Sequence, residues 1–187
     1  MNISQRAAEF KKIFLFKSGV RGKFDGFRID PKTQKQIKKQ ITEKVDFDVE
    51  AHLSGKLSQG FLPADEGNWC FVDIDQKNIN PAEFCKELWH VDNKAIPFRS
   101  ISGGWHVYKV FPEVKSKKEL IKEQEQLEKK LSKKFKVDLN SGLPKHNRYA
   151  NAPFYADERL PYDPRGNPID WEQFKHRIKY INHPVIV

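Results

Sequence analysis

Phe71-Val72-Asp73-Ile74-Asp75 is a short apolar run carrying two carboxylates two residues apart. Apolar residues alternating with acids at this period describe a strand, whose two-residue repeat puts Asp73 and Asp75 on one face. Their side chains stand about 7 Å apart along such a backbone, within reach of a shared pair of divalent cations. Like charges side by side on a mostly buried strand repel unless a cation or water reaches them. The alternative reading is a strand end running into a solvated loop.

Around this run the pattern reads as strands and helices in alternation. Upstream, Gly60-Phe61-Leu62-Pro63 and the strand from Trp69 are joined by Asp65-Glu66-Gly67-Asn68, which reads as a hairpin turn. Downstream, Asn80 caps a helix with Pro81 at its first position, running through Phe84, Leu88 and Trp89. Extended segments from Ile96 to Ile101 and from Trp105 to Phe111 flank Ser102-Gly103-Gly104. Ser116 and Glu119 form a capping box for a helix with Leu120, Leu127, Leu131 and Phe135 as its apolar stripe. Its lysines and glutamates read as a solvated outer face.

A strand over Phe135–Leu139 follows, then an extended segment from Tyr149 to Tyr155. Asp170 caps a last helix with Trp171, Phe174 and Ile178 facing inward. Near the N-terminus, Ser4 to Phe16 reads as helix, ended by Gly19 and Gly22. Phe24–Ile29 reads as a strand or turn, and Pro31 as the start of a helix through Ile37 and Ile41. A helical turn then ends at Leu53-Ser54-Gly55, where Gly55 suits a left-handed cap. This is an α/β (α+β) layout with strands covered by helices. We expect one domain over 1–187, with an N-terminal helical part (1–55) and a core (56–187).

The chain has 187 residues, and its 34 Lys and Arg against 25 Asp and Glu leave a net charge of +9. That balance favours a polyanionic partner such as nucleic acid. Cys70 and Cys85 have neither the number nor the spacing for a zinc site or a disulfide framework, and read as small core residues. With no apolar signal core and no run of 18 apolar residues, the sequence predicts a soluble cytoplasmic protein without a membrane partner. Trp69, Trp89 and Trp171 read as core, and His52 and Lys56 as structural. Trp105, inside the glycine turn, either stacks on a base or sugar or packs inward.

Three segments carry chemistry: the Asp73/Asp75 strand, the Ser102-Gly103-Gly104 turn leading into His106, and Val137-Asp138 with Lys145 and Arg148 after it. A glycine turn can present backbone N–H groups to phosphate, and an imidazole can donate to the same anion. Carboxylates for metals beside donors for a triphosphate are the parts that two-metal nucleotidyl transfer needs.

In this order the motifs resemble the archaeo-eukaryotic primase (primase-polymerase) superfamily, of the compact phage or mobile-element type. The matching residues are Val72-Asp73-Ile74-Asp75, Gly104-Trp105-His106 and Val137-Asp138, with His52-Leu53-Ser54-Gly55-Lys56 as a lead-in. The resemblance spans about His52 to Asn167. It implies an RRM-like catalytic core, an antiparallel or mixed sheet covered by helices, with a small N-terminal α/β lobe. It further implies that Asp73, Asp75 and Asp138 bind two Mg²⁺ or Mn²⁺ ions and that His106 contacts the incoming triphosphate. Ser102 and the Gly103-Gly104 backbone assist, and Arg148 or Lys145 contacts phosphate. The family's Arg-x-Pro-Gly segment is replaced here by Arg148-Tyr149-Ala150-Asn151-Ala152-Pro153.

The implied activity is that of a DNA primase or DNA polymerase joining NTPs or dNTPs on a single-stranded DNA template, in the company of a helicase domain or protein. An end-joining repair polymerase of the same superfamily and a basic single-strand-binding module with a vestigial metal site are the alternatives. A rolling-circle nuclease needs paired histidines on one strand, and His106-Val107-Tyr108 offers one.

Overall fold

The computed structural model describes residues 2–16, 18–29, 36–62, 65–74, 77, 79–100, 103–137, 150–156 and 158–182. Within them the chain runs α1 (Ile3–Ile13), β1 (Ser18–Ile29), β2 (Gln36–Val45), α2 (Val49–Leu53), β3 (Gly60–Leu62) and β4 (Glu66–Ile74). It continues through α3 (Pro81–Val91), β5 (Ala95–Arg99), β6 (Trp105–Ser116), α4 (Lys117–Leu131), β7 (Ala150–Asn151) and α5 (Trp171–Asn182). This is a mixed α/β architecture. Among the described residues no helix is long and apolar enough to cross a membrane.

Two sheets form. The central one is antiparallel with the order β4-β6-β5, and the other has the order β2-β1-β3-β7. An isolated antiparallel bridge sets Val137 beside Ile74, on the free edge of β4. The central sheet is buried on both faces, which is why β4 reads as an almost continuous apolar run. Cys70, Val72, Ile74, Trp105 and Val107 meet Phe84 and Leu88 of α3 and Leu120, Leu127 and Leu131 of α4. On the opposite face, Trp69, Phe71, Phe98 and Tyr108 pack with Phe10 and Phe14 of α1 and with Trp171 and Phe174 of α5. Tyr108 is the hub, with the rings of Phe14, Trp69, Phe71 and Phe98 all within 6 Å of its own.

Helix termini follow the sequence signals closely. Asn80 caps α3 through its side chain with Pro81 in the first turn, and Ser116 with Glu119 makes a full capping box on α4. Asp170 and Gln173 exchange side-chain bonds with each other's backbone N–H at the start of α5. Gly55 takes the left-handed conformation with φ +76. Lys118, Lys122, Lys129 and Lys133 are exposed, as a solvated face requires.

Several expectations are corrected. The helix expected through Ile37 and Ile41 is the strand β2, antiparallel to β1, while residues 31–35 lie outside the described residues. A separation of four fits a two-residue repeat as well as a helical one, so Ile37 and Ile41 could not discriminate. Gly19 and Gly22 do not end an element but lie inside β1. A Cβ at Gly19 would lie 2.9 Å from the Phe47 Cα, so this glycine marks a close backbone approach.

The expected hairpin between Gly60–Pro63 and the strand from Trp69 is absent among the described residues. β3 pairs with β1 and β7, whereas Glu66 at the start of β4 already pairs with Ser116. Turn residues specify a reversal, not which sheet the next strand joins. Of the strand expected over Phe135–Leu139, the described residues show the bridge at Val137, while the Phe135 ring packs 4.7 Å from that of Phe84. Asp138 and Leu139 lie outside the described residues. Trp89 is half-buried, not core, under the Arg177 guanidinium at 4.9 Å.

Gly166 illustrates a position that only glycine fits. It has φ +85, and a Cβ there would run into the backbone of Pro81 and Ala82 at the start of α3. Replacing Gly166 by alanine is expected to destabilise the fold by roughly 2 kcal/mol or more, from strain and clash together. A urea midpoint matching that of the unmodified chain would contradict this.

Candidate active site

The register of β4 on β6 places Asp73 directly opposite His106. Both belong to the sheet face that carries Phe71, Phe98 and Tyr108, at its end. The Asp73 carboxylate keeps 28% of its side-chain surface exposed, and its Oδ1 lies 3.8 Å from His106 Nε2. The imidazole is buried and sits edge-on to Phe71 with ring centroids 5.1 Å apart. Burial, and then the nearby Arg159 charge, pull the His106 pKa down to about 3. At neutral pH the ring is therefore neutral, and its approach to Asp73 is neither an ion pair nor a hydrogen bond at that distance. A neutral imidazole keeps one N–H donor and one acceptor.

β6 is launched by the glycine turn. Gly103 has φ +90, a conformation that favours glycine, with nothing within 4 Å of where a Cβ would be. Ser100, which the sequence reading passed over, is what closes this turn. Its carbonyl accepts from Gly103 N–H at 3.1 Å, and its Oγ accepts from Gly104 N–H at 3.0 Å. Both glycine N–H groups are thus engaged within the turn, so the expected phosphate cradle becomes a device that aims the strand. Ser102 lies outside the described residues. Trp105 packs inward, stacked on Phe84 at 4.4 Å and buried, which removes the base-stacking alternative for it.

Arg159 is a further residue that sequence reasoning missed. It is buried, with a left-handed φ of 49. Its Nη1 donates to the Ala152 carbonyl at 3.2 Å and its Nη2 to Ser58 Oγ at 3.0 Å, and its guanidinium lies 5.4 Å from the Tyr155 ring centre. Its charge reaches both His106 and Tyr108 on β6. Among the described residues no carboxylate lies within ion-pair distance of it. No spacing or composition signal marks Arg159, because left-handed backbone at Phe154, Ala156 and Arg159 brings it there, and none of these is a glycine.

The segment bearing Arg159 is tied to the lead-in motif. His52 is fully buried, with Nε2 3.0 Å from the Pro153 carbonyl and Nδ1 accepting from Gln59 N–H at 3.2 Å. Those partners fix the proton on Nε2. Tyr155 Oη donates to the Gly55 carbonyl at 2.9 Å, and a Cβ on Gly55 would lie 2.8 Å from that of Ala156. The expected structural role of His52 is met by this latch.

Asp75, Asp138, Lys145 and Arg148 lie outside the described residues. Val137 pairs with Ile74, the residue after Asp73 on β4. Among the described residues no cluster of three or more His, Cys, Asp or Glu side chains forms a metal site. A hard, accessible carboxylate oxygen at Asp73 suits Mg²⁺ or Mn²⁺, and the neutral imidazole beside it adds no competing positive charge. Cys70 and Cys85 are buried free thiols, and burial pushes each pKa up to about 12, so neither is a metal-binding thiolate.

No protein-family model matches this chain, and no curated protein matches it in sequence.

Proposed function

We propose that the protein is a template-directed nucleotidyltransferase of the primase-polymerase type. One observation supports this above all. β4 carrying Asp73, β6 carrying His106 and the chain at Val137 meet at one end of one sheet. These are the three segments that the sequence motifs single out, and they are far apart in the chain.

The connectivity supports the RRM-like reading as well. β4, α3, β5, β6, α4 and the Val137 bridge follow one another in the chain, and their lateral order is Val137, β4, β6, β5. That is a β-α-β-β-α-β unit with both helices on one face of the sheet.

In this reading Asp73, with Asp75 and Asp138, holds the divalent cations. A bound Mg²⁺ or Mn²⁺ supplies charge neutralisation on the triphosphate and a lowered pKa for the attacking 3′-hydroxyl. His106 offers an N–H to the triphosphate. Burial, helped by the Arg159 charge, keeps that imidazole neutral, and Arg159 adds positive potential toward the same end of the sheet. Ser102, Lys145 and Arg148 are the remaining candidates for phosphate contact, and Ser100 with Gly103 and Gly104 fixes the start of β6.

The test is a template assay with Mg²⁺ or Mn²⁺, each nucleotide pool, and a single-stranded template with and without a primer. The expected result is product that lengthens with template. Products that require a primer identify a polymerase without priming activity. Template binding without product under any of these conditions would replace this reading by the binding-module one.

A further inference from the structure

We propose that the β1–β2 ribbon is a nucleic-acid-binding arm that lies along the phosphate backbone. The inference shares with the proposed function the expectation of a nucleic-acid partner, but it requires no catalysis.

The ladder pattern isolates the arm. β1 pairs with β3 over Ser18–Val20, and β1 and β2 then pair with each other as far as Ile29 and Gln36. Among the described residues β2 has no second neighbour in the sheet. From Arg21 to Ile29 the ribbon runs about 27 Å at ~3.4 Å per residue. Two-stranded ribbons of this length gain little stability by themselves.

Charge is concentrated there. β1 and β2 contain Arg21, Lys23, Arg28, Lys38, Lys39 and Lys44 against Asp25 and Glu43. The register sorts these residues by face. Arg21 pairs with Glu43, Lys23 with Ile41 and Arg28 with Ile37, and the ladder slips between Phe24 and Phe27. Phe24 pairs with Gln40 and Phe27 with Lys38. Between these pairs β1 advances three residues and β2 two, so the extra residue of a bulge lies in β1 at Asp25-Gly26. The bulge resets the two-residue alternation, so that Arg28 rejoins the face of Arg21 and Lys23. Lys39 belongs to that face too. Without the slip, Arg28 would fall on the face of Phe24, and the basic row would be broken.

A row of four basic positions against two acids, Glu43 and Asp25, on a ribbon narrow enough for the major groove, is complementary to a phosphate backbone. Lysines on an unpaired edge also guard against strand-to-strand aggregation. That role does not require the alignment of Arg21, Lys23 and Arg28 on one face.

The test compares the full chain with a variant carrying Arg21→Gln, Lys23→Gln, Arg28→Gln and Lys39→Gln. Affinity for a labelled oligonucleotide, single-stranded and duplex, is measured across a salt series in EDTA. The arm variant is expected to bind one or both forms at least about 10-fold more weakly at low salt, with the log–log salt slope reduced by about 3. A second variant, Lys118→Gln with Lys122→Gln and Lys129→Gln on α4 and Lys133→Gln just after it, loses the same charge elsewhere and is expected to keep the slope. A third, Arg21→Lys with Lys23→Arg, Arg28→Lys and Lys39→Arg, keeps the charge and is expected to bind normally.

Unchanged affinity and slope in the arm variant for both nucleic acids overturns the proposal. Self-association of that variant at unchanged affinity does so in favour of edge protection. Equal losses from the arm and α4 variants would also overturn it, leaving a net-charge effect. Binding that depends on the arm in a protein without polymerase activity would leave this inference standing and remove the catalytic one.

Discussion

Replacing Asp73 by asparagine is expected to lower template-directed incorporation by roughly 10³-fold or more, with the fold intact. The carboxylate sits at the end of a buried strand, yet more than a quarter of its side chain meets solvent. Asparagine preserves shape and removes the charge, so hydrophobic packing of Phe71 and Val72 is untouched. What disappears is the anionic oxygen that suits a divalent cation, an effect worth several kcal/mol in a transition state of this class.

His106→Gln should act more mildly, by about 10²-fold, because a side-chain amide still offers an N–H. The pair separates the two roles. Asp73→Asn should flatten the metal-concentration dependence of the rate, whereas His106→Gln should raise the KM for nucleotide. The low pKa of His106 arises from burial and Arg159, so Asp73→Asn should leave it low, and an imidazole proton titration by NMR checks that independently. Wild-type rates in Asp73→Asn, in a protein of unchanged thermal midpoint, would remove Asp73 from the site.

What the sequence made legible was local. Caps at Asn80, Ser116 and Asp170, the buried run at Phe71 and the break at Gly55 each follow from a few adjacent residues, and each stands in the structure. Pairings did not follow so simply. β3 takes β1 and β7 as neighbours although the intervening Asp65-Glu66-Gly67-Asn68 invites a hairpin with β4. The choice depends on residues from 18 to 20 and from 150 to 151, which no local window contains.

The site divides in the same way. Asp73 and His106 lie side by side because residues on adjacent strands need only the right register to meet. Ser100 and Arg159 were missed because both act on a target through geometry that the sequence does not encode locally. Ser100 captures two N–H groups across a tight turn, and Arg159 depends on three non-glycine residues with positive φ. Backbone held in such conformations is a small energetic cost that the surrounding contacts must offset. Here those contacts come from His52, Gly55, Ser58 and Gln59. The lead-in motif thus has a physical use. It clamps the segment that carries the arginine whose charge adds to burial in keeping His106 neutral.

Lowering the pH from 6.5 to 5 is expected to destabilise the protein by about 3 kcal/mol through two buried histidines. Both are more acidic than usual, His106 near 3 and His52 near 4, each chiefly through burial. A histidine depressed on folding binds fewer protons in the native chain than in the unfolded one. Its contribution to stability is therefore complete above the unfolded value of about 6.5 and declines as the pH falls toward the folded value. Each such group contributes a slope of up to about 1.4 kcal/mol per pH unit, and the windows of the two overlap down to pH 4. Stopping at pH 5 keeps ordinary carboxylates largely ionised, so the histidines dominate the change.

The mechanism at His52 is concrete. Protonating Nδ1 abolishes its acceptance of the Gln59 N–H and places a second positive charge near Arg159. Urea unfolding at pH 6.5, 6 and 5 measures the effect, and His52→Gln should remove about half of the slope. That variant carries its own loss at neutral pH, because one amide cannot reproduce both ring contacts, so the slope and not the midpoint is diagnostic. A stability independent of pH across this window would mean that neither imidazole is held neutral by the fold. Arg159 would then have no electrostatic hold on the candidate site.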